Sequence, residues 1–177
     1  ITGLGGGTFS AGAGLSINTT TGAIDVSAST PGSYTVTYST SGTCPNASSV
    51  SVTINALDDP SFTYGAASYC ADDADPTPTI TGLGGGTFSA GAGLSINTTT
   101  GTIDVSASTP GSYTVTYTTA GSCPSASSVS VTINALDDAS FNYGAASYCV
   151  SESDPTPTIT GLGGGTFSSG VGLSINA

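Results

Sequence analysis

No lysine, arginine or histidine occurs anywhere in this chain, and methionine and tryptophan are missing as well. Eleven acidic side chains therefore stand unopposed, for a formal charge of −11 over 177 residues. Without a basic side chain there is no salt bridge, no phosphate clamp and no attraction toward nucleic acid or anionic lipid. Nucleic-acid and anionic-membrane partners are excluded on that ground, and so are lysine-dependent isopeptide staples. The absence of histidine removes the usual general base, the usual zinc ligand and every Ser-His or Cys-His nucleophile pair. Acidic pairs alone would have to carry any catalysis, so no enzyme is expected. No apolar run approaches the roughly 20 residues of a membrane span, and no segment has a helical period.

Glycine, serine, threonine and alanine dominate what is present, and only 7% of residues are aromatic. A thin core of Val, Ile, Leu, Phe and Tyr suits small β-units. The clearest signal is Thr109-Pro110-Gly111-Ser112-Tyr113-Thr114-Val115-Thr116-Tyr117, a turn followed by strict alternation. Tyr113, Val115 and Tyr117 share one face and the threonines the other, the period-2 pattern of a half-buried strand.

The same words occur 79 residues earlier, and Ile1, Ile80 and Ile159 mark one period of 79 throughout. Comparing 1–79 with 80–158 leaves 11 differences, and 159–177 departs from 1–19 at three places. Such near-identity means tandem duplication. A period this long fits small domains strung in an array, whereas a β-solenoid would repeat at a much shorter interval. The chain opens inside a repeat, which suggests a piece of something longer.

The unit boundary is placed at Asn55-Ala56-Leu57-Asp58-Asp59-Pro60, because it follows the alternating strand Val50–Ile54 and paired aspartates are poor strand formers. This divides the chain into a partial repeat lacking its first strand (1–57), a complete repeat (58–136) and an unfinished one (137–177). Within 58–136, strands are expected at 61–64 (running on irregularly to 70), 77–81, 87–89, 94–96, 102–105, 113–119 and 128–133. Asn97 to Gly101 is a tight connection, with Gly101 free to take positive φ. Seven or eight short strands without helix predict an all-β fold of tandem immunoglobulin-like antiparallel β-sandwiches.

Several residues invite a role. Tyr34 and Tyr113 stand just after a glycine at the start of the penultimate strand, where such domains place a tyrosine that ties the preceding corner. Val115 lies two residues on, where antibody domains carry their inter-sheet cysteine, so that bridge is absent. Four cysteines at fixed places in small, charge-poor units favour disulfides and an extracellular setting. Cys70–Cys123 inside one unit is the expected bridge, worth about 4 kcal/mol by loop entropy; Cys44–Cys70 across the linker is the alternative. Asp58, Asp59, Asp72, Asp73 and Asp75 are hard oxygen ligands and weak calcium candidates, with no Asp-x-Asp-x-Asp-Gly loop among them. No other cofactor is indicated. Gly82–Gly86 lacks the lysine and following helix of a phosphate loop. Asn18, Asn46 and Asn97 head N-glycosylation sequons. Tyr64, Tyr69 and Tyr117 are the stacking platforms that a carbohydrate-binding module would need.

The string Pro-Thr-Ile-Thr-Gly, Gly-Gly-Thr-Phe-Ser, Gly-Leu-Ser-Ile-Asn, Thr-Pro-Gly-Ser-Tyr-Thr-Val-Thr-Tyr and Cys-Pro carries a resemblance along the whole chain. It resembles the tandem immunoglobulin-like repeats of very large Bacteroidetes surface proteins, including gliding-motility adhesins of the SprB type and other type IX secretion substrates. The resemblance implies a long extracellular stalk or filament shaft that presents an adhesive region away from the cell. Its partners would be neighbouring repeats, surface polysaccharide, other cells or further copies in a filament. It carries over no catalytic residue.

Overall fold

The computed structural model describes residues 6–175. All of its regular structure is β. Residues 6–57 contain β1 (Thr8–Ser10), β2 (Ser16–Ile17), β3 (Ile24–Asp25), β4 (Gly32–Ser39) and β5 (Ala47–Ile54). The complete copy adds β6 (Phe62–Thr63), β7 (Ser68–Cys70) and β8 (Thr79–Ile80) ahead of the same series. That series recurs as β9 (Thr87–Ala90), β10 (Ser95–Ile96), β11 (Ile103–Asp104), β12 (Gly111–Thr118) and β13 (Ala126–Asn134). The last copy contributes β14 (Phe141–Asn142) and β15 (Thr158–Ile159).

In the complete copy one face of the sandwich is a four-stranded sheet in the order β7-β13-β12-β9. The other face is built from two short antiparallel pairs, β6 with β8 and β10 with β11. β12 is interior, between β13 and β9, and its alternation matches its burial. Val115 and Tyr117 are fully buried, whereas Thr114 is exposed. The outer hydroxyls pair across the strands, Thr116 with Ser128 at 2.8 Å and Ser112 with Thr132 at 2.9 Å. Such cross-strand pairs add to sheet stability.

The alternation did not reveal β7. The stretch after β6 is not an irregular continuation of that strand. Tyr64–Ala67 crosses from one sheet to the other, and Ser68–Cys70 then runs parallel to β13, with Ile133 opposite Tyr69 and Asn134 opposite Cys70. The sandwich is antiparallel except for this pair.

The core of the complete copy lies between the two faces. Phe62, Phe88, Leu94, Ile103, Val105, Val115, Tyr117, Val131 and Ile133 form one buried cluster. Phe62 stands edge-on to Phe88 at 5.4 Å and to Tyr117 at 5.8 Å, an arrangement worth about 0.5–1.5 kcal/mol per pair beyond burial. A separate cluster of Leu15, Val36 and Ile54 serves residues 6–54. No buried residue belongs to both.

Candidate functional site

The two tyrosines at the corner make the same bond in both copies. The Tyr113 hydroxyl donates to the Thr109 carbonyl at 2.6 Å, and the Tyr34 hydroxyl to the Thr30 carbonyl at 2.7 Å. The adjoining turn runs through Gly93, at φ +103, where a Cβ would stand 2.7 Å from the Tyr113 hydroxyl. Gly93 is required on both counts, backbone conformation and space.

The strand register corrects the expected Cys70–Cys123 bridge. Cys70 is opposite Asn134, the last residue of β13. Cys123 lies in the turn before Ala126, the first residue of that strand, and its carbonyl accepts the Asp58 N–H at 2.9 Å. β13 is nine residues long, so about 26 Å separates its ends, far beyond the roughly 7 Å limit between bridged Cα atoms. The Cys44–Cys70 alternative fails for a related reason. Cys44 lies ahead of β5 and Cys70 beside the end of β13, each at the end of its copy away from the 55–60 linker. All four cysteines are free thiols.

The candidate carboxylates are held by the protein itself. Asp58 accepts the Thr119 hydroxyl at 3.0 Å, and Ser127 donates to the Pro60 carbonyl at 2.6 Å, so the linker is strapped to the β12–β13 turn. Asp59 accepts the Ser61 N–H at 3.0 Å and the Ser61 hydroxyl. Asp73 accepts the Cys70 N–H at 2.6 Å, and Asp75 accepts the Val105 N–H at 3.1 Å. Asp72 is exposed on the loop between them. The linker pair sits beside Cys123 and Asp73 beside Cys70, so the two sets lie at opposite ends of one unit. Among the described residues no three potential ligands gather in one place.

Sequence reading missed a smaller regularity. Asp25, Asp59, Asp104 and Asp138 each precede a serine by two positions and accept its hydroxyl. The Asp-x-Ser spacing was legible as an Asx-type turn. The serine hydroxyl, ahead of backbone N–H groups, holds Asp25, Asp59 and Asp138 below the ordinary carboxylate range; for Asp104 the Ala107 N–H leads. One change between copies keeps its contact: Glu152, in place of Asp73, still accepts the Cys149 N–H, at 2.9 Å.

The sugar platforms are not on offer as a set. Tyr117 is buried; its hydroxyl donates to the Leu83 carbonyl at 2.7 Å and accepts the Gly86 N–H at 2.9 Å. Tyr64 packs against the core, and its hydroxyl donates to the Gly101 carbonyl at 2.5 Å. Burial, helped by nearby Tyr69, pushes its pKa up to about 12. Tyr69 also packs against the core and accepts the Ala66 N–H at 2.9 Å. The sequon side chains of Asn18 and Asn97 accept backbone N–H groups of their own turns.

No protein-family model matches the chain, and no curated protein matches it. Among solved structures, mouse cadherin-23 EC22-24 is similar over 77% of this chain and 56% of its own, at 19% identity and TM-score 0.35. Human cadherin-23 EC21-23 covers 85% and 62%, at 16% identity and TM-score 0.37. Protocadherin gammaB7 EC3-6 covers 89% and 51%, at 14% identity and TM-score 0.39. The chain thus spans between half and two thirds of the length of these structures. The fold assignment stands on strand order and core, not on these distant likenesses. No helix among the described residues is long and apolar enough to cross a membrane.

Proposed function

We propose that this chain is shaft: a run of immunoglobulin-like units, one per 79 residues, in the structural and adhesive stalk of an extracellular surface protein. The observation that carries the reading is where the chain enters and leaves the complete unit. It enters strapped to the β12–β13 turn through Asp58 and Pro60, and leaves from Asn134 at the other end of β13. Units joined in that way extend a line, because each linker continues from the end its predecessor reached. An unopposed negative surface keeps neighbouring shafts apart. The resemblance to Bacteroidetes gliding-type adhesin repeats agrees with this role.

The cysteines fit the junctions of such a line better than the interior of a bead. Cys123 sits beside the incoming linker and Cys70 beside the outgoing strand end. In a longer array the outgoing thiol of one unit and the incoming thiol of the next share a junction. Two thiols there would form one disulfide, passing two protons and two electrons to a disulfide oxidant in the surrounding medium.

The test is length. Chains carrying two, four and six copies of the 79-residue repeat are imaged by negative-stain electron microscopy. The shaft reading expects contour length to grow linearly, by about 40 Å per repeat for a strand of this length plus its linker. Particles that instead stay round while their diameter grows slowly would overturn it.

A further inference from the structure

We infer that the outer face of the β7-β13-β12-β9 sheet is a docking surface for the same face of a second copy, so that shafts pair side by side where salt screens their charge. The face is made of hydroxyls. β12 turns Ser112, Thr114, Thr116 and Thr118 outward, away from its buried side. The register places Ser130 of β13 opposite Thr114, Ser89 of β9 beside Thr116 and Ser68 of β7 beside Thr132. At the margins Cys70, Ala126 and Asn134 are uncharged as well.

Two observations point to a copy of itself as the occupant. The four strands of this sheet contain no acidic residue, in a chain whose formal charge is −11. Asp104 lies on β11 in the opposite face, and the other carboxylates of the complete unit lie in the linker and in the loop after β7. Two copies therefore repel least when these faces approach. The second observation is chemical. A hydroxyl both donates and accepts, so a surface of hydroxyls is complementary to itself. The Ser112–Thr132 and Thr116–Ser128 pairs use part of that capacity within the sheet. Thr114 and Ser130 stand between those pairs, and neither side chain has a hydrogen bond among the described residues. Their hydroxyls are offered outward.

The repeat keeps the face. Thr35 and Ser51 stand opposite one another in β4 and β5, as Thr114 and Ser130 do. Of the 11 differences between 1–79 and 80–158, only Ser39 against Thr118 falls on these strands, and the hydroxyl is retained. A face four strands wide and eight residues long covers about 500 Å², below the roughly 800 Å² per partner of a stable interface. One pair of faces therefore holds weakly, and a shaft gains hold by presenting one such face per repeat. This goes beyond the shaft reading, which concerns length along one chain and stands if shafts never pair.

Sedimentation velocity of the 177-residue chain, with its thiols kept reduced, tests it over a range of concentrations. Sodium chloride is varied from about 0.01 to 1 M, across which the Debye length falls from about 30 to 3 Å. The expected result is association that strengthens with salt. Thr35→Asp with Thr114→Asp puts a carboxylate at the centre of both faces, so like charges meet across the contact; association should weaken at least about 10-fold. Thr20→Asp with Thr99→Asp adds the same charge in exposed turns outside these sheets and should leave association unchanged. Near-UV circular dichroism of the tyrosines reports whether each variant is folded. Ser51→Asp with Ser130→Asp, on the neighbouring strands, repeats the measurement if the first pair misfolds. A monomer at every salt concentration, association that falls as salt rises, or face and turn variants that behave alike would each overturn the proposal.

Discussion

Residues 6–54 and 85–133 are nearly the same words, yet one stretch is the closed half of a sandwich and the other an open one. Val36, Ile54 and Leu15 form a small cluster in the first, while their counterparts Val115, Ile133 and Leu94 belong to a cluster of nine in the second. β4 and β5 pair in the same register as β12 and β13. What differs among the described residues is the cover: β6, β7 and β8 lie over the second stretch, and no described segment lies over the first in the same way. Pairing is thus set by the alternation within each strand, whereas burial belongs to the segment laid on top.

The largest effect that separates the two regions is expected at the covering ring. Phe62→Ala removes an edge-on partner of Phe88 and Tyr117 and should destabilise the complete unit by about 3–5 kcal/mol. Phe141→Ala, the same change at an exposed ring, should stay within about 0.5 kcal/mol. Urea unfolding followed by tyrosine fluorescence checks both, and equal losses would mean that β14 is covered after all.

A middling effect is expected at the corner. Tyr113→Phe deletes the bond to Thr109 and should lower stability by about 0.5–1.5 kcal/mol. Tyr34→Phe deletes the matching bond to Thr30 and should show as a loss no larger, because its unit has less core to lose. Unfolding midpoints of the two variants, measured on the same chain, sharpen the comparison.

The last effect is alkaline, and it is absent near neutral pH. Tyr64 has its pKa raised from 10.0 to about 12 by burial. Folding therefore favours its protonated form. Its contribution is fully present below pH 10 and is lost as pH rises toward 12. Residues 6–54 contain no counterpart of Tyr64 and lack this component. A stability profile between pH 9 and 12, compared with that of Tyr64→Phe, reads the difference. A variant with an unchanged profile would remove Tyr64 from the account.

The sequence was informative where a rule is local. The period, the strands around Tyr113 and Val129 and the positive φ of Gly101 (+73) were all accessible from alternation and turn chemistry. β7 was not, because three residues without clear alternation reveal neither a change of sheet nor a parallel partner 64 positions away. The cysteine error followed from that gap. With Cys70 left on a loose extension of the first strand, nothing fixed which end of the unit it occupied. The tyrosines erred in the other direction: Tyr117 shares the period of a half-exposed strand, and only the laying of Phe62 across it makes it core. The Asp-x-Ser turns are legible from spacing alone, because a carboxylate two residues ahead of a serine is a local acceptor before it is a ligand.

The parallel pairing of β7 with β13 has a mechanical meaning. If the chain is pulled from its two ends, one end draws on the segment leading into β7 and the other on the end of β13. Two parallel neighbours loaded from opposite ends slide past one another. The bonds around Ser68–Thr132, Tyr69–Ile133 and Cys70–Asn134 are then stretched together, not peeled apart one at a time. A patch of three residue pairs, placed between the load and the core, acts as a shear latch in the complete unit.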